Sequence, residues 1–66
     1  MKFAKLRGKI KEVFNTNAAF AEAIGMTCPT LSFRLNGATP WKREEIEASC
    51  VALGIPIEEV HIYFFA

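Results

Sequence analysis

The sequence contains no aspartate, a single histidine at position 61, and no glycine-rich loop. Clustered acid–base groups and a loop that cradles phosphates are thus missing, and catalysis is not expected. Its two cysteines, Cys28 and Cys50, form neither a CxxC pair nor a zinc set with the lone His61. Free thiols in a cytoplasmic chain are expected, with a single bridge as the alternative. No metal, cofactor or small-molecule substrate is implied. No run approaches the ~20 apolar residues that cross a bilayer. The basic start MKFAKLRGKIK also lacks the apolar stretch and cleavage site of a signal peptide. Basic residues are missing from one region as well, since none follows Arg43.

What is present fits one small domain. With 66 residues the chain lies near the lower size limit for folding without staples, and 52% apolar residues suffice for a compact core. Net charge is only +1, yet it is unevenly spread. All eight Lys and Arg lie in 1–43, opposed there by Glu12 and Glu22 alone, a net of +6; from Glu44 onward five glutamates give −5. Such a split can place a positive face on a nearly neutral protein, or can merely reflect solvated helix faces of different sign.

Apolar spacing divides the chain into five helices. Phe3, Leu6, Ile10, Val13 and Phe14 form one stripe of a helix over about 2–14. Gly8 weakens it by about 1 kcal/mol without erasing the pattern. NTN at 15–17 supplies capping residues. A second helix follows over 17–24, with Phe20, Ala21 and Ile24 facing inward. Gly25 stops it, because glycine takes the left-handed conformation at no steric cost. Thr27 is a good N-cap for a third helix over 28–35, Pro29 falls in its first turn, and Leu31 and Leu35 mark its inward face. NG at 36–37 closes it. A fourth helix over 42–53 carries Ile46, Cys50 and Leu53 inward, with Trp41 and Ile46 placed as a staple and Glu45 able to reach back to the helix start. A fifth runs over 57–62 through Ile57 and Val60, before an aromatic tail at 61–66.

Two short helices joined by a turn with glycine make a helix-turn-helix pattern. FAEAIGMT…TLSFRLNG, followed by W…EIEASCVALGI, resembles the Cro- and repressor-like (XRE-type) family of phages and bacteria, particularly small prophage-encoded regulators. The resemblance covers nearly the whole chain. It implies an all-α, five-helix lambda-repressor-like DNA-binding domain with the motif in its second and third helices. It further implies a transcriptional regulator that binds double-stranded DNA and lays its third helix in the major groove. Thr27, Cys28, Pro29, Ser32 and Phe33 then match the base-contacting positions. Asn17, Thr30, Arg34, Asn36, Lys42 and Arg43 match or flank those that grip phosphates.

The third helix departs from the usual chemistry, which favours Arg, Lys, Asn and Gln for bidentate contacts to bases. Its face offers hydroxyls, a thiol, a proline ring and a phenyl ring. A second reading therefore stands beside the first: a protein-interaction module or antirepressor that uses CPTLSF and the aromatic tail. Phe33 itself is expected to be exposed, to touch another protein, or to fold against Trp41. Val60, Ile62, Tyr63, Phe64 and Phe65 are too many large side chains for so small a core. Either some face a partner, and the resemblance implies a homodimer through Ile62, Tyr63, Phe64 and Phe65, or the tail wraps its own domain.

Overall fold

The computed structural model describes residues 2–65. The described chain is all-α, with α1 at Ala4–Phe14, α2 at Asn17–Ala23, α3 at Cys28–Leu35, α4 at Arg43–Leu53 and α5 at Val60–Phe64. A 3-10 turn, Ile57–Glu59, leads into α5, and no strand occurs among the described residues. Ala66, the last residue of the expected tail, lies outside them. No described helix is long and apolar enough to cross a membrane.

α1 packs against α2, α4 and α5, and α2 packs against α3. Leu6, Ile10, Phe20, Ala21, Leu31, Leu35, Cys50, Leu53, Ile55 and Phe64 form the core. Helices of seven and eight residues are marginal in isolation. The burial of Phe20 and Ala21 from α2, and of Leu31 and Leu35 from α3, therefore holds them. Thr16 Oγ1 caps α2 by accepting from the Ala19 N–H at 3.1 Å. At its other end, Met26 N–H donates to Ala21 O at 2.8 Å and Gly25 N–H to Glu22 O at 3.2 Å. These two bonds make a Schellman closure, which needs a left-handed residue at Gly25, where φ is +72°.

Several expectations change. α1 starts two residues later than its stripe suggested, because Phe3 takes a left-handed conformation (φ 56°) and turns its ring toward Trp41. Val13 is 45% exposed; on that last turn Phe14 makes the ring contact, with Phe20 at 5.5 Å. Ile24 and Met26 are only partly buried. Ile57 is exposed, so the final helical segment turns inward through Val60, Tyr63 and Phe64 instead. Phe64 is buried in its own domain, edge-on to Trp41 at 5.0 Å. It is therefore not a free dimer contact as the tail suggested. Ile62 and Tyr63 are half-buried, and Phe65 is exposed.

Candidate functional site

α3 has two unlike sides. Leu31, Arg34 and Leu35 are buried, while Cys28, Pro29, Ser32 and Phe33 are exposed. Positions 28, 32 and 36, four apart, align on one helix row with 29 and 33 beside them. The outer side is thus a continuous stripe, with Thr27 at its head and Asn36 at its foot. Thr27 Oγ1 accepts from the Thr30 N–H at 3.3 Å and lies 2.8 Å from Thr30 Oγ1. Both hydroxyls thereby hold the first turn, and Thr30 is half-buried. Phe33 is 55% exposed, and Trp41 pairs with Phe3 and Phe64 rather than with Phe33.

Arg34 is a correction. It is only 7% exposed, and its Nε and NH2 donate to the two carboxylate oxygens of Glu45 at 2.8 and 3.0 Å. A guanidinium committed in this bidentate way to a carboxylate is not available to a phosphate. Glu45 Oε1 also accepts from the Lys42 N–H at 2.8 Å. The Glu45 carboxyl is held below its ordinary range chiefly by the Arg34 hydrogen bonds, with burial opposing. Conversely, that hydrogen bond raises the Arg34 pKa. One acidic side chain therefore ties the inner side of α3 to the start of α4.

A second tie comes from α1. Arg7 NH2 donates to Leu35 O at 2.8 Å and to Asn36 Oδ1 at 3.0 Å, while its Nε donates to Lys2 O at 2.9 Å. A cation at the carbonyl end of α3 suits the helix dipole there. Asn36 Nδ2 also lies 3.4 Å from Ser32 Oγ, so Asn36 bridges α1 to the outer stripe. Sequence reasoning missed this role of Arg7, since its partners lie 28 and 29 residues away. Ser49 was missed as well: fully buried, it donates from Oγ to Glu45 O at 2.7 Å. Its place three residues after Ile46 on the inward stripe was the available signal.

The remaining basic and polar candidates are accessible. Asn17 opens α2 and is exposed, as are Lys42 at the head of α4 and Arg43 in its first turn. Arg43 meets Glu47 at 3.4 Å, but both side chains are largely in solvent, where such a pair contributes little. Both cysteines are free, Cys28 exposed and Cys50 buried, and burial pushes the Cys50 thiol up. Among the described residues no three His, Cys, Asp or Glu side chains cluster as a metal site.

Over residues 1–66 the chain matches the family described as "Protein of unknown function (DUF739)", and it belongs to that family. No curated protein matches it.

Proposed function

We propose that this member of an uncharacterised family is a non-enzymatic, DNA-binding transcriptional regulator of the Cro and repressor type. In this reading α2 and α3 form a helix-turn-helix, and α3 enters the major groove of double-stranded DNA. The observation that carries it is the division of α3 into a buried row and an exposed row. Thr27, Cys28, Pro29, Ser32 and Phe33 face outward while Arg34 and Arg7 brace the helix from behind. A major groove about 12 Å wide admits a helix presented in this manner.

The +6 region draws the protein to DNA, and Asn17, Thr30, Asn36, Lys42 and Arg43 hold the backbone. Ser32 offers a hydrogen bond to a base edge, and Pro29 and Phe33 pack on thymine methyl groups. Such contacts discriminate modestly, at about 1 kcal/mol for each good one. Groove shape and phosphate contacts supply the rest. Two copies acting as a homodimer would occupy successive turns of one DNA face and block a promoter by presence alone.

Titration of a random duplex at two salt concentrations tests the reading. Affinity should fall steeply with salt. Lys42→Ala with Arg43→Ala should flatten the log–log slope by about 1.8, because each phosphate left without its cation accounts for about 0.9. No binding at low salt, or an unchanged slope in the double variant, would reject the interface. One observation favours a second reading, a module that binds another regulator: Phe33 stands 55% exposed on a face without bidentate base readers. In that case Phe33→Ala abolishes capture of a protein partner and leaves DNA affinity negligible throughout.

A further inference from the structure

A cleft of about 500 Å³ opens among the start of α1, the 37–41 loop and the end of α5. Phe3, Pro40, Trp41, Ile46 and Phe64 make it apolar, and Lys2 and Thr39 give it polar edges. Trp41 lies edge-on to Phe3 at 6.3 Å and to Phe64 at 5.0 Å, within the usual range for aromatic pairs. Two features remain unmatched within the chain. The Trp41 Nε1–H is buried without a hydrogen-bond partner, and a buried donor left this way is unfavourable. Phe65, also lining the cleft, is 68% exposed.

Neighbouring side chains on a helical turn diverge by about 100°. With Phe64 turned into the core, Phe65 is directed outward at the cleft's edge rather than into the space Phe64 already bounds. A two-fold contact requires the knob and the hole to lie on the same patch, so that each copy supplies both. This patch meets that condition.

We propose that the cleft is a socket for Phe65 of a second copy of this chain, two such insertions closing a two-fold dimer. The inference rests on the homodimer part of the proposed function and locates its interface at the Trp41 cleft. The phenyl ring fills the apolar space, and the segment entering with it brings backbone carbonyls toward the Trp41 N–H. Lys2 and Thr39 remain at the wet rim, as in protein interfaces generally.

Trp41 is the sole tryptophan, so its fluorescence reports this cleft alone. Sedimentation equilibrium and tryptophan emission are followed through one dilution series of the full chain. Dissociation and an emission shift should share a midpoint. Phe65→Ala should raise the dimer dissociation constant by about 100-fold, as expected when a central aromatic anchor is removed, with helix content unchanged by circular dichroism. Tyr63→Ala should leave association within a few-fold of wild type. A chain monomeric at every concentration, a dimer whose Trp41 emission ignores dilution, or a dimer broken by Tyr63→Ala but not by Phe65→Ala would overturn the socket. DNA titration of the same samples separates the two proposals. A monomer that still binds DNA removes the socket only, whereas a Phe65-dependent dimer without DNA affinity removes the regulator.

Discussion

Glu45 accepts from Arg34 twice, accepts from the Lys42 N–H, and through its carbonyl accepts from Ser49. Replacing it with alanine leaves the Arg34 guanidinium without its partner in a largely buried position. The expected loss is about 2 kcal/mol for an unmatched charged group. For a chain of this size that lowers the Tm by about 10 °C. The sign with pH follows from the lowered carboxyl. Its stabilisation is fully present above the ordinary value of 4.5 and fades as pH falls through the depressed native value. Melting curves of wild type and Glu45→Ala should differ most near neutrality and converge in strong acid; a gap that persists unchanged in acid would contradict the ion pair. The two thiols form a second prediction. Cys28 should react at once with a thiol reagent in the native state, and Cys50 only on unfolding. Two fast thiols per chain would mean that the core is not closed as described. Part of this was legible beforehand, including Cys50 as core and Glu45 as the group that reaches back to the head of α4. Arg34 was misjudged although its spacing held the clue, because it sits three residues after Leu31 and adjoins Leu35. Charge suggested solvent, and only Glu45, eleven residues on, makes the inward position tolerable.

α2 and α3 are short enough that their ends matter as much as their faces. The caps at Thr16 and Thr27 and the closure at Gly25 were readable, because each depends on one residue's local chemistry. Phe3 could not be read in this way, since its left-handed backbone is held by a ring contact with Trp41, thirty-eight positions away. The two glycines of the first two helices and their turn make opposite predictions. An alanine at Gly25 keeps φ positive only at a cost of about 1–2 kcal/mol. At Gly8, inside α1, φ is not positive and an added methyl meets nothing within 4 Å. Gly8→Ala should therefore stabilise by about 0.5–1 kcal/mol through helix propensity. Urea titrations of the two variants should move the midpoint in opposite directions. A shift of the same sign in both would show that one of these local conformations is wrong.

The described molecule measures 28 × 22 × 22 Å between its extremes. Its longest dimension falls short of the ~34 Å between successive major grooves on one DNA face. One copy can therefore present one α3 to one groove, and reading two half-sites needs a second copy. The charge split has the same scale: the positive region includes α1 to α3 and the head of α4, while the acidic residues occupy the rest of α4 and the turn before α5. Helix number and order, and the exposure of the α3 row, were legible because periodicity and caps act within single elements. Burial of Phe64 and the grip of Arg7 on α3 were not, because both arise only when distant elements meet. The central claim is that the outer row of α3 is the surface that meets DNA. Backbone amide shifts, recorded while a duplex is titrated into the isotopically labelled chain, test it most directly. The largest changes are predicted at residues 27–33 with Asn17, Lys42 and Arg43. Changes confined to the groove between Lys5, Lys9 and Tyr63, or none at all under low salt, would contradict it.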